Sequence, residues 1–166
     1  MTPLLILTTG GTIDKIHDAQ SESLTFPKDE SSQIPEILRI CRCHHPRLQA
    51  VFQKDSLKVT DEDRAELAST IAAADETAIV ITHGTSTMGE TARFLDESEI
   101  AKTIVLTGAM RPYSLSFSDG GFNLGAAITA AQTLPAGVYG VMNGRVFSAE
   151  NLHKNLAAGR FDLPPQ

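Results

Sequence analysis

From the N-terminus, apolar positions come in short unbroken runs rather than in alternation. Leu4 to Thr8 is the first run and Gln49 to Gln53 a weaker second. Ala78 to Thr82 (Ala-Ile-Val-Ile-Thr) is a strong third, and Thr103 to Thr107 and Gly137 to Met142 follow. Near-continuous runs rich in β-branched residues suit strands buried on both faces, as in a parallel sheet. Between the runs the spacing turns helical. Ser32 to Cys41 opens with Ser-Ser-Gln and sets Ile34, Ile37, Leu38 and Cys41 on one side. Thr60 caps a second helix, with Asp61, Glu62 and Asp63 in its first turn, where the helix dipole favours acids. Ala65, Leu67, Ala68 and Ile71 give that helix its apolar face. Thr87 to Leu95 and Gly121 to Ala131 are two further helical stretches, the second small and apolar enough to be largely buried. Strand and helix alternating five times predicts a doubly wound α/β fold, a mainly parallel sheet with helices on both faces. His17 to Lys28 is polar and without pattern, and reads as a loop placed to act as a lid.

In open α/β sheets ligands bind beyond the carboxyl ends of the strands. Three turns occupy those ends, each rich in Gly, Thr and Ser. They are Thr8-Thr9-Gly10-Gly11-Thr12, His83-Gly84-Thr85-Ser86-Thr87-Met88, and Gly108-Ala109-Met110-Arg111-Pro112 running on to Asp119-Gly120. Paired glycines let a backbone approach a ligand closely and aim several N–H groups at one point, which suits an anion or a developing oxyanion. Neither G-x-G-x-x-G nor G-x-x-x-x-G-K-[ST] is present, which argues against a nucleotide. A threonine hydroxyl needs a general base or an electropositive neighbour before it attacks anything. Thr12 and Thr85 would face each other if strands one and three are adjacent.

Composition narrows the partners. The 166 residues suffice for one cored domain, residues 1–166, and the formal charge of −6 argues against nucleic acid. No apolar run approaches the length of a membrane helix, and the N-terminus enters a first strand directly, so a cytoplasmic protein is expected. Arg39, Arg42, His44, His45 and Arg47 form a local basic stretch that reads as a solvated helix end. Cys41 and Cys43, followed by His44 and His45, lack the second ligand pair of a structural zinc site, so no metal is expected.

Thr9-Gly10-Gly11-Thr12-Ile13 resembles the first signature of the bacterial-type L-asparaginases, and Ile81 to Met88 with Glu90-Thr91-Ala92 resembles the second. Gly108-Ala109-Met110-Arg111-Pro112, Ser118-Asp119-Gly120, Phe122-Asn123-Leu124 and Val141-Met142-Asn143 are similar too, in the family's order and spacing. The resemblance implies hydrolysis of the asparagine side-chain amide without a cofactor: Thr12 attacks, and water cleaves the acyl-enzyme. It places Thr85 in a supporting triad with an aspartate and a lysine, and Ser56 on the substrate α-carboxylate. Gly11, Gly84 and Ala109 would line the pocket with main-chain groups, and Asp55 is grouped with these substrate-binding residues. Homo-oligomers are implied as well.

The sequence departs from the family in three ways. Ser86 stands where the second signature has an aspartate. The triad lysine is expected around Gln132 or Thr133, and neither is a lysine. The chain resembles short-chain members that consist of the N-terminal domain, and lacks the tyrosine usual in the lid. Lys154 is therefore the first candidate for a replacement base and Lys15 the second, so that Thr12, Thr85, Ser86 and Lys154 form the candidate catalytic set. The alternative is a binding module that keeps the pocket without hydrolysing its ligand.

Overall fold

The computed structural model describes residues 2–163. Strand β1 (Leu4–Gly10) leads into a hairpin of β2 (Ile16–Asp18) and β3 (Ser23–Thr25), then helix α1 (Ile34–Ile40) and strand β4 (Arg47–Lys54). Next come α2 (Asp61–Ala73), β5 (Ala78–Thr82), α3 (Met88–Glu97), β6 (Thr103–Thr107) and α4 (Gly120–Thr133). The chain closes with β7 (Gly137–Met142), β8 (Arg145–Ser148), β9 (His153–Asn155) and β10 (Arg160–Asp162).

The main sheet runs β4-β1-β5-β6-β7-β8, with β8 antiparallel to β7 and every other pairing parallel. Successive residues of β1 serve opposite layers, as the pleat requires. Leu5 and Leu7 pack with Leu67 and Ile71 of α2 and with Met88, Ala92 and Leu95 of α3. Leu4 and Ile6 pack with Ile34 and Ile37 of α1 and with Leu124, Ala127 and Ile128 of α4. Helices therefore cover both faces, and the expected doubly wound fold is the observed one. Counting only the parallel strands in chain order, the sheet reads 2-1-3-4-5. In that order the chain reverses direction between the first and third strands, and the ligand crevice opens there. Those strands are β1 and β5, so the Thr12 and Thr85 turns are neighbours.

Some local expectations need correction. Cys41 is exposed rather than on the buried face of α1. The Cys43 N–H bonds Leu38 O and the Arg42 N–H bonds Arg39 O, with Arg42 at φ 55. This left-handed Schellman turn ends the helix and swings Cys41 outward. Ser32 is not part of the helix: its hydroxyl donates to Asp14 Oδ1 at 2.8 Å and accepts from the Ile34 N–H. On α2 the Thr60–Asp63 capping box forms, but Ala65 is exposed. Arg64 is buried instead. His17 to Lys28 contains the β2–β3 hairpin, whose turn is closed by Asp18 accepting from Gln20 N–H and Ser21 Oγ. In the basic stretch Arg39 pairs with Glu36 and Arg47 with Glu76, whose carboxyl that guanidinium holds down to about 2.

No helix among the described residues is long and apolar enough to cross a membrane. Among those residues no group of three or more His, Cys, Asp or Glu side chains could hold a metal ion.

Candidate active site

The β1 and β5 turns meet backbone to backbone. Gly11 has φ +82, and a Cβ there would lie 2.6 Å from Gly84 Cα. A Cβ on Gly84 would in turn lie 2.6 Å from Ser56 Oγ. The three residues are thus stacked by the absence of two methyl groups, as paired glycines permit. Ser56 is 3 % exposed and is held from both sides. Its Oγ accepts from the Ser86 N–H at 3.2 Å, and its carbonyl accepts from Thr87 Oγ1 at 2.8 Å. Because Ser86 N–H uses only a lone pair of Ser56 Oγ, the Ser56 hydroxyl proton stays available to an anion.

Thr12 opens a short 3-10 turn (Thr12–Asp14) and is half-buried; its hydroxyl makes no hydrogen bond among the described residues. Thr85 is 5 % exposed, and its Oγ1 lies 2.7 Å from Lys154 Nζ. The lysine against Thr85 is the first candidate from the sequence, whereas the resemblance places the triad lysine around Gln132 or Thr133. Those two residues end α4, where their side chains bond Ile128 O and Thr129 O. The adjoining Leu134 carbonyl accepts from Thr103, the first residue of β6. That end of α4 sits at the amino ends of the strands, opposite the crevice.

Lys154 comes from the β9–β10 hairpin, where it pairs with Phe161. Its pKa is lowered by burial, against which the Asp55 carboxylate acts to raise it. Asp55 itself is committed elsewhere. Its Oδ2 lies 2.5 Å from Lys15 Nζ and its Oδ1 accepts from Leu57 N–H, and these bonds hold its pKa below the ordinary carboxylate value. Lys15 also lies 5.8 Å over the Phe26 ring, which ties the segment after the β2–β3 hairpin to the same corner. The second base candidate is thus bonded to a carboxylate while the first is bonded to Thr85. Ser86 is exposed and lines a cavity of about 400 Å³ together with Thr85, Lys154, Leu152 and Arg93. Ala109 is fully buried, its side chain in the α1–α4 layer, so only its main chain can border the crevice.

Two networks behind the turns were not anticipated. His83 is completely buried, and its Nδ1 lies 2.8 Å from Gly84 O. A carbonyl only accepts, so Nδ1 carries the proton and Nε2 accepts from Thr91 Oγ1 at 3.0 Å. Thr91 Oγ1 accepts in turn from Arg64 Nε at 3.1 Å. Burial, helped by the Arg64 charge, pushes the imidazole down to about 4, so it is neutral at pH 7. In the third turn the Asp119 carboxylate accepts from the Met110 and Arg111 N–H groups and from Asn123 Nδ2. The Gly89-Glu90-Thr91 and Gly121-Phe122-Asn123 stretches offered no periodic signal for either network. Asp14, also buried, accepts from Ser32 Oγ and the Gln33 N–H and has its pKa raised by desolvation.

The sheet order defines a doubly wound α/β domain whose candidate site lies at the switch point, among hydroxyls and the partly buried Lys15 and Lys154. The family described as "Asparaginase, N-terminal" matches residues 3–162, and the chain belongs to that family. It is 34 % identical to a glutaminase-asparaginase of Pseudomonas aeruginosa, over 99 % of this chain and 49 % of that protein. It is 36 % identical to L-asparaginase 2 of Escherichia coli, over 91 % and 46 %. A crystal structure of a probable cytoplasmic L-asparaginase from Campylobacter jejuni superposes with a TM-score of 0.82 at 30 % identity, covering 99 % of this chain and 53 % of that one. The chain thus spans about half the length of these relatives.

Proposed function

We propose that the chain hydrolyses the side-chain amide of L-asparagine, or of a related small amide, to the acid and ammonia. On this reading Thr12 Oγ1 bonds to the amide carbon, the C–N bond breaks and ammonia leaves with the proton. Water then attacks the acyl ester, giving up a proton through the Thr85–Lys154 pair, and the acid departs as Thr12 recovers its own. A lysine acts as a base only when neutral, and burial of Lys154 favours that form. Ser56 offers its hydroxyl to the substrate carboxylate, and Gly11, Gly84 and Ala109 supply main-chain walls.

The observation that carries this reading is the 2.7 Å bond between Lys154 Nζ and Thr85 Oγ1. It supports a base at the threonine turns, where the expected absence of a triad lysine had, together with Ser86 in place of the aspartate, favoured a non-hydrolytic binding module. A cytoplasmic setting, which the name of the Campylobacter jejuni neighbour supports, and assembly of several copies complete the proposal.

Ammonia release from asparagine by the purified protein is the test. Turnover that disappears in Thr12→Ala, with the variant folded, is the expected result. A folded protein that binds asparagine but releases no ammonia at millimolar substrate would overturn the proposal and leave the binding module.

A further inference from the structure

The β9–β10 hairpin that carries Lys154 is three residues long on each side. An isolated two-stranded ribbon of that size is not stable in water, so its register must be held from outside. Two apolar anchors are evident. Leu152 is buried, and it fills the space over Gly140, where a Cβ would meet its Cγ at 2.8 Å. Phe161 is 1 % exposed and packs on Phe147 with ring centroids 6.5 Å apart. Apolar anchors fix depth well and register poorly, because they are not directional. A directional contact is also present: the Phe161 N–H donates to Asn143 Oδ1 at 2.9 Å.

Asn143 is well placed to be immovable. It and Gly144 form the two-residue turn between β7 and β8, at φ 55 and φ 74, with Met142 and Arg145 paired across it. Asn-Gly is a favoured pair for such a left-handed hairpin turn. The Asn143 N–H donates to Asn123 Oδ1 at 3.0 Å, and Asn123 Nδ2 donates to Gly108 O and to Asp119 Oδ2. A continuous chain of hydrogen bonds thus runs from the third turn through Asn123 and Asn143 to the residue paired with Lys154.

We propose that Asn143 is a positioning residue, whose side-chain carbonyl sets the register of the β9–β10 hairpin and so keeps Lys154 on Thr85. The proposal rests on the reading of Lys154 as the base. It makes the Asn143 amide oxygen a part of the site although it does not reach the crevice.

Two substitutions isolate that oxygen. Asn143→Gly keeps the left-handed turn without strain and removes the acceptor, whereas Asn143→Asp keeps both turn and acceptor. For Asn143→Gly, kcat is expected to fall at least about tenfold with KM changed less than about twofold, since a small misplacement of a reacting group weakens the chemical step more than binding. Asn143→Asp is expected to stay within about threefold of the unmodified kcat by the same reasoning. Amide hydrogen exchange at Phe161 is the second measurement, and it should accelerate in Asn143→Gly while the β6 amides keep their protection. An Asn143→Gly variant that retains kcat, or an Asn143→Asp variant that loses as much as Asn143→Gly, overturns the proposal. If the unmodified protein releases no ammonia, the hydrolase reading has failed instead. Exchange then decides alone: an unchanged Phe161 rate in Asn143→Gly rules the register role out.

Discussion

Lys154 Nζ and Thr85 Oγ1 are 2.7 Å apart across 69 residues of chain. The contact exists because the segment after the sheet's last strand folds back over the turn that follows β5. Lys154→Met removes the proposed base and is expected to lower kcat by roughly 10² to 10⁴, the usual worth of general base catalysis. Lys154→Arg is expected to be about as inactive, because a guanidinium keeps its proton at any working pH. Steady-state ammonia release compared across the two variants checks both, and an active Lys154→Arg would remove the base role.

The neighbourhood of Lys154 sets the direction in which its titration moves. As a base it must be neutral, so activity rises with pH through its pKa. Asp55 raises that pKa, while Lys15 at 2.5 Å offsets the Asp55 charge. Asp55→Asn should therefore move the acid limb of the kcat–pH profile to lower pH, and Lys15→Gln should move it to higher pH. The double variant should follow Asp55→Asn, since Lys15 acts through Asp55. Glu90, Arg93 and His153 also border this corner and remain unchanged in all three proteins.

His83 makes stability depend on pH. The folded imidazole titrates at about 4 and the unfolded one near 6.5, so between those values the unfolded chain binds the extra proton. Stability therefore rises with pH across that window and is lost on acidification. At about 1.4 kcal/mol per pH unit the loss reaches roughly 3 kcal/mol by pH 4. Buried Asp14 has its pKa raised and contributes the opposite slope, so the effect is best read by difference. Urea unfolding at pH 7 and pH 5 should show a smaller change in His83→Gln than in the unmodified protein.

The two stacked glycines should respond differently to an added methyl. Gly11→Ala meets backbone atoms of Gly84 from a φ of +82, so neither partner can yield. A stability loss of about 3 kcal/mol or more is expected from strain and overpacking together. Gly84→Ala presses mainly on the Ser56 side chain. Its expected signature is a rise in KM for asparagine larger than the fall in kcat, because Ser56 is displaced and Thr85 is not. Melting temperature and Michaelis parameters distinguish the two cases.

Much of this was written in the sequence where one local rule operates unopposed. Ala78–Thr82, Thr103–Thr107 and Gly137–Met142 begin and end where their apolar runs do, because strands buried on both faces admit no polar interruption. Thr60 was legible as a cap since its partner Asp63 lies three residues away. What was not legible depends on distant pairing. The Schellman turn at Arg42 uses no glycine, and so leaves Cys41 looking like a core residue. The β2–β3 ladder holds three pairs, too short for alternation to show. For the candidate site, the three glycine turns mark the strand ends at the switch point, and its place after the last strand makes Lys154 the first candidate base, whereas the resemblance puts the triad lysine around Gln132 or Thr133, at the far end of α4. Only the closure of β9 and β10 over α3 brings Lys154 to Thr85, and no pattern along the chain encodes that contact. The neutral state of His83 is equally hidden, since it follows from complete burial first and then from the charge of Arg64 on α2.

The parallel order of the sheet has a consequence for when the site comes into being. Thr9 reaches Thr82 across 73 residues, and Lys154 reaches Thr85 across 69 more. Contacts this distant close late, after local helices have formed, because each must overcome the entropy of a long loop. On the proposed reading the Thr12 turn stays inert until the hairpin carrying Lys154 has docked on Thr85. Ammonia release, if the proposal holds, would thus serve as a clock for the docking of that hairpin.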